Sequence, residues 1–185
     1  MAARLLGVLL LLLAVPALAD EYDDTLKSFQ EAGQSARLFA KSYGYAVFPT
    51  IGKGGIGIGA AHGNGRVYAK GKYVGDTSMT QITVGAQLGG QAYSQMVFFE
   101  DKRAFDEFTS GNFEFGAQAT AVAITAGATA QAGSTGAAAS ASAGKNDAKT
   151  AGEYHKGMAA FIIVKGGLMY EASVGGQKFS YTPKK

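Results

Sequence analysis

Apolar positions set the first part of the chain apart from the rest. From Tyr22 onward, Leu26, Phe29, Gly33, Ala36, Ala40 and Tyr43 advance in steps of four and three, which lines one face of a helix. Lys27, Gln30, Glu31, Gln34, Arg37 and Lys41 fall mostly elsewhere on that helix, with Asp23 or Asp24 as its cap, Gly44 as its end and Gly33 as a break. After it the period drops to two. Tyr45 to Phe48 reads as a short strand stopped by Pro49. Thr80 to Leu88 sets Ile82, Val84, Ala86 and Leu88 on one side, with Gln81, Thr83, Gly85 and Gln87 on the other. The strand pattern resumes from Gln91 through Phe99. A short helix then follows over about 101–110, opened by Glu100-Asp101 and buried through Ala104, Phe105 and Phe108. Phe113 and Phe115 start a further extended segment that runs into Ala117 to Ile124. Tyr154 to Val164 and Leu168 to Val174 read as a hairpin about Lys165-Gly166-Gly167, and Phe179 and Tyr181 as a last strand.

Glycine fills in the connections. Of the 27 glycines, 12 fall between Gly52 and Gly90. Gly55, Gly57 and Gly59 alternate with Ile56, Ile58 and Ala60, so one face of that strand is bare backbone. Such a face lets another element approach closely, or lets a sheet coil into a barrel. His62-Gly63-Asn64-Gly65 carries hairpin-turn chemistry, with Arg66 to Lys70 returning and Lys72 to Val74 as a further strand. Residues 126–152 are almost wholly Ala, Gly, Ser and Thr and predict a flexible loop. The predicted fold is α+β but mainly β: an antiparallel, glycine-rich β-barrel or strongly coiled sheet, with an N-terminal amphipathic helix and a short helix near 101–110.

Composition adds an address and removes several chemistries. Arg4, the 15-residue uncharged run Leu5 to Ala19 and the small-x-small Ala17-Leu18-Ala19 form a secretory leader, with cleavage before Asp20. A spanning helix needs about 20 apolar residues, more than this run supplies. Residues 1–19 are thus a cleaved signal peptide and 20–185 one domain, which predicts a periplasmic or secreted protein peripheral to the membrane. The chain has no cysteine, which excludes disulfides, thiolate metal sites and cysteine nucleophiles. A formal charge of +3 without a basic, aromatic-interleaved run argues against nucleic acid as a partner.

The motif search argues against catalysis. Gly52 to Gly57 fits G-x-G-x-x-G, with Asp76 further on, yet the glycines and the Asn-Gly pair after it forbid the helix that a dinucleotide site requires. The two histidines, His62 and His155, fall in a predicted turn and beside a predicted loop. The carboxylate pairs Glu100-Asp101 and Asp106-Glu107 sit at a helix start and on a solvated helix face. No catalytic residue, metal ligand or cofactor is predicted.

Several blocks, in order, resemble the SYLF lipid-binding domain. They are Gly44-Tyr45-Ala46-Val47-Phe48-Pro49, Lys53-Gly54-Gly55-Ile56-Gly57-Ile58-Gly59-Ala60 and Gly65-Arg66-Val67-Tyr68. Ile82 to Gly90, Phe98 to Phe105, Phe113 to Ala117 and Gly166 to Glu171 continue the match, which covers about residues 36–181. The eukaryotic Trp-Ser-x-Pro segment is absent where Val74 to Ser78 stands, and the N-terminal helix is less basic than theirs. The resemblance implies a non-catalytic protein that binds lipid or a membrane surface. Eukaryotic members bind phosphoinositide membranes and some bind actin, ligands an exported protein does not meet. Lys53, Arg66, Lys70 and Lys72, with Lys102 and Arg103, are the candidate binding site for anionic phospholipid head groups; Lys165 and Lys178 could extend it. A small outer-membrane β-barrel or structural envelope protein is the alternative, and an uncharacterised hydrolase the second.

Overall fold

The computed structural model describes residues 20–111, 113–115, 122–123, 154 and 156–185. The predicted leader and the whole of the predicted 126–152 loop lie outside the described residues. The order of elements is α1 (Glu21–Glu31), α2 (Gly33–Phe39), β1 (Gly44–Ala69), β2 (Lys72–Phe99), α3 (Lys102–Phe108), β3 (Phe113–Phe115), β4 (Val122–Ala123) and β5 (Met158–Pro183).

The helices follow the sequence pattern with small shifts. Asp20, rather than Asp23 or Asp24, caps α1 by accepting from the Tyr22 N–H. The break falls at Ala32, just before Gly33, and it changes the phase of the buried stripe. Beyond it Ser35 and Leu38 are buried, whereas Ala40 is exposed. Asp101 caps α3 through the Ala104 N–H at 2.8 Å.

The sheet departs further from expectation. Strands usually run about 3–10 residues, but β1, β2 and β5 have 26, 28 and 26. The sheet order is β1-β2-β5-β3, with antiparallel pairing along that path, and β4 pairs parallel to β5. Pro49 does not stop β1, and Gly166-Gly167 is not a turn but part of β5. The His62–Gly65 segment pairs in register with Thr80–Thr77 inside the sheet. The β1–β2 turn is Lys70-Gly71, both left-handed at φ 49° and 75°, as a two-residue hairpin requires.

So long a ribbon must bend, and β1 doubles back on itself. Gly57 (φ 70°) stands at a shift of register between Ile56 and Ile58. On either side of this bend the two halves of β1 approach through glycine. Gly63 lies against Thr50 and Ile51, Gly65 against Val47 and Phe48, and Gly44 against Tyr68 and Ala69. The Lys70 N–H donates to the Tyr43 carbonyl at 3.0 Å, tying the two extremities together.

This doubling replaces the predicted barrel closure. The sheet is not closed into a barrel, since among the described residues β1 and β3 end the pairing path. The same fact removes the footing of the outer-membrane-barrel alternative, because a spanning sheet must satisfy both edges. No helix among the described residues is long and apolar enough to cross a membrane.

Alternation then sorts side chains into two cores. Ala46, Phe48, Val97, Phe99 and Met158 point between the halves of the ribbon, where they meet Met79, Phe108 and Phe179. Val47, Met96, Phe98 and Phe161 point the other way, onto Phe29 and Leu38 of the helices. Rings carry much of the contact: Phe98 lies 5.0 Å from Phe39 and 5.9 Å from Phe161, and Phe48 lies 5.7 Å from Phe179.

Candidate functional site

The doubled ribbon has two ends, and the predicted site residues divide between them. At the hairpin end, the Lys70-Gly71 turn, Tyr43, the start of α3 and the end of β5 come together. Five of the six predicted head-group residues, Arg66, Lys70, Lys72, Lys102 and Arg103, gather there from three elements and the turn. The aromatic setting is dense. Arg66 lies over the Tyr22 ring at 3.9 Å and near Tyr73 at 5.4 Å, Lys70 over Tyr43 at 5.5 Å, and Lys184 over Tyr73 at 4.6 Å. Tyr45 stacks on Tyr68 at 5.1 Å.

Most of this charge is internally neutralised. Arg66 pairs with Asp20, Lys102 with Asp106 at 2.6 Å, and Arg103 with Glu107 at 3.3 Å and Asp101 at 3.8 Å. Hydrogen bonding to Arg66 holds the Asp20 carboxyl below the usual carboxylate range, and the same bond raises the guanidinium. Burial pushes the hydroxyls of Tyr22, Tyr45 and Tyr68 up, while Tyr73 rises chiefly because it donates to Asp76. Lys70, Lys72 and Lys184 make no ion pair among the described residues.

Lys53 is not part of this group. Gly63 packs on Ile51, so Lys53 lies two residues beyond that contact towards the bend and Lys70 seven residues beyond it the other way. At strand spacing that puts them about 30 Å apart. The sequence expectation of one continuous basic patch is therefore corrected. It rested on a turn at His62–Gly65, which would have brought Lys53 beside Lys70.

The bend is a surface of the opposite character. Ile56, Ile58, Ile82, Val84 and Leu88 are 80%, 67%, 63%, 62% and 55% exposed. The register sets Ile56 beside Leu88, Ile58 beside Val84 and Ala60 beside Ile82, so these residues form one contiguous crest. On the other face of the same strand Thr83 and Gln87 are buried, at 2% and 5% exposure. Thr83 Oγ1 donates to Gln87 Oε1 at 2.7 Å, and Gln87 Nε2 donates to the Thr83 carbonyl at 3.0 Å and the Gly57 carbonyl at 3.2 Å. The alternation read from Thr80 to Leu88 is correct, but its polar side faces in. A slip of one residue would bury the aliphatics, and the amide network at Gly57 fixes the register against that slip.

Charge is sparse towards the crest. Between Asp76 and Glu100 β2 has no charged residue, and β1 has only Lys53 between Ala46 and His62. The base of the crest mixes signs. Lys165 donates to Glu21 Oε1 at 3.2 Å and to Thr50 Oγ1 at 2.9 Å, and Lys178 stands in register with Glu114. Those bonds, first Thr50 and then Lys165, keep the Glu21 carboxyl below its ordinary value. Sequence reading separated the two sides of this strand without assigning either to solvent, and so missed the crest. The available signal was the long uncharged stretch in which glycine and aliphatic residues alternate.

No group of three or more His, Cys, Asp or Glu residues suited to a metal ion occurs among the described residues. His62 is exposed beside Thr80 Oγ1 at 3.3 Å; His155 lies outside the described residues. The G-x-G-x-x-G glycines, Gly52, Gly54 and Gly57, lie within β1, with no helix after them.

Comparison with known proteins supports the resemblance. Residues 80–183 match the Ysc84 family, described as Las17-binding protein actin regulator. Over 156 residues the chain is 31% identical to the protein named "Beta cell expansion factor A" of Aeromonas veronii, covering 83% of this chain and 51% of that protein. The chain thus spans about half the length of the curated relative that it matches. The family match runs from within β2, where it includes Ile82, Val84 and Leu88 of the crest, to the end of β5, and the chain belongs to the Ysc84 (SYLF) family.

Proposed function

We propose that the protein is an exported, non-catalytic binder of lipid membrane surfaces, held peripherally at the cell envelope. The observation that carries this reading is the crest. Five branched aliphatic side chains stand more than half exposed on one convex bend, and a buried polar network keeps them there. Soluble proteins seldom leave so contiguous an apolar surface without a ligand. Fully burying an aliphatic side chain yields about 1.5–3 kcal/mol, so five half-to-mostly exposed ones offer about 5–10 kcal/mol on entering an apolar phase. That matches partition from about 0.2 mM down to sub-micromolar before the cost of association. Family membership supports the same reading, since SYLF proteins relate to lipid and actin-regulator binding.

A second reading, capture of anionic phospholipid head groups at the hairpin end, is favoured by the convergence there of Arg66, Lys70, Lys72, Lys102 and Arg103 beside Lys184. Lysine near an anionic membrane gains about 1 kcal/mol each, so the three cations outside ion pairs supply about 3 kcal/mol. Flotation with vesicles of mixed phosphatidylcholine and phosphatidylglycerol tests both. Protein that rises with the vesicles supports a membrane role; protein that stays below them at every composition refutes it.

A further inference from the structure

We infer that the crest recognises electrically neutral lipid surfaces and enters them between loosely packed head groups, so that binding does not depend on anionic lipid. This rests on the membrane reading above and assigns it to one end of the molecule. Three observations carry it.

The first is depth. Ile56 lies three residues beyond Lys53, about 10 Å along the strand, which matches the 5–10 Å to which interfacial elements sink their apolar side. Within that depth β1 and β2 present only uncharged side chains.

The second is the charge at the base. Gly63 on Ile51 brings the row of His62, Thr80 and Lys178 nearly level with Lys53, and Lys165 reaches Thr50, three residues further from the bend. Two of the three lysines there meet carboxylates: Glu21 on Lys165, and Glu114 in register with Lys178. Charge of both signs stands at the base, and such a surface complements a head group that carries one phosphate and one ammonium.

The third is side-chain type. The crest is Ile, Val and Leu throughout, without the Tyr, Trp or Arg that anchor protein partners, and it is a convex bend rather than a groove. A bilayer accepts such a surface without requiring a matching cavity.

The test is vesicle binding by the purified protein, with Ile56→Ser/Ile58→Ser/Leu88→Ser and Lys70→Gln/Lys72→Gln/Lys184→Gln as variants. All six positions project from the surface, so unchanged thermal unfolding will confirm that both variants fold. Highly curved vesicles of phosphatidylcholine alone are expected to bind as tightly as vesicles containing phosphatidylglycerol, to within about threefold. Binding is expected to hold between about 50 and 500 mM salt, where exposed charge interactions are screened. Each aliphatic residue removed should weaken partition about tenfold, so the crest variant should lose about a thousandfold. The lysine variant should bind like the parent.

Binding that requires anionic lipid, falls with salt and is lost in the lysine variant overturns this inference yet leaves a membrane function standing at the other end. A crest variant that binds normally overturns it as well. Failure to bind any vesicle overturns the membrane reading itself.

Discussion

Gly65 offers a direct measure of how closely the two halves of β1 approach. It is buried, and its φ is not left-handed, so alanine there meets no backbone strain. It meets atoms instead. A Cβ would lie 2.7 Å from both Phe48 Cδ1 and the Val47 carbonyl oxygen, and 2.8 Å from Phe48 Cε1. Ordinary contacts begin near 3.4 Å, so the halves must part by about half an ångström or more. Phe48 cannot swing aside, because it is fully buried and packs on Phe179 at 5.7 Å. Overpacking of this kind costs about 1–3 kcal/mol, which in a chain of this size lowers Tm by about 3–10 °C. Gly52→Ala is the control, since nothing lies within 4 Å of its added Cβ. Restricting the unfolded chain there should stabilise by about 0.5 kcal/mol. Urea and thermal unfolding of both variants, with unchanged m-values, give the comparison. Equal stability of Gly65→Ala and Gly52→Ala would refute the doubled ribbon.

Three further outcomes follow from the packing and the caps. Phe98→Ala removes a fully buried ring that contacts Phe39, Tyr45 and Phe161, and urea unfolding should show a loss of about 3–5 kcal/mol. Asp101→Ala deletes the acceptor for the Ala104 N–H and should cost about 1 kcal/mol, while Asp101→Asn restores most of it. Acid should loosen α1: the Asp20 and Glu21 carboxyls are held below their unfolded values by Arg66 and by Thr50 with Lys165. A depressed carboxyl stabilises the fold above its unfolded pKa and loses that contribution as pH falls through its folded one. Protection of α1 amides, taken relative to the intrinsic exchange rate at each pH, should therefore fall below about pH 4, and the Asp20→Asn/Glu21→Gln variant should show the same protection on both sides of that range.

How far the sequence foretold this structure depended on which force decided each segment. Local rules placed the helices, their break near Gly33 and the Asp101 cap, because spacing and capping act within a few residues. The strand phase from Thr80 to Leu88 was equally legible. Which side faced inward was not, because the Thr83–Gln87–Gly57 network forms only once β1 meets β2 at the bend. His62–Gly65 misled for a related reason. Asn-Gly is turn chemistry, yet Gly63 and Gly65 are glycine because Ile51 and Phe48 press on them from a distant part of the strand. The real turn, Lys70-Gly71, puts a lysine in a left-handed conformation that propensity disfavours. That error carried into the site, since moving the turn separates Lys53 from the other five predicted residues. Barrel closure failed similarly: of the two uses read for a glycine face, close approach holds in the doubled ribbon and closure does not.

The central claim is that the crest, and not the hairpin end, meets the membrane. The chain has no cysteine, so Ile58→Cys and Lys72→Cys each give a single labelling position. With a polarity-sensitive fluorophore on each, phosphatidylcholine vesicles should shift the emission of the label at position 58 to the blue and leave that at position 72 unchanged. A blue shift at position 72 with none at position 58 would contradict the account.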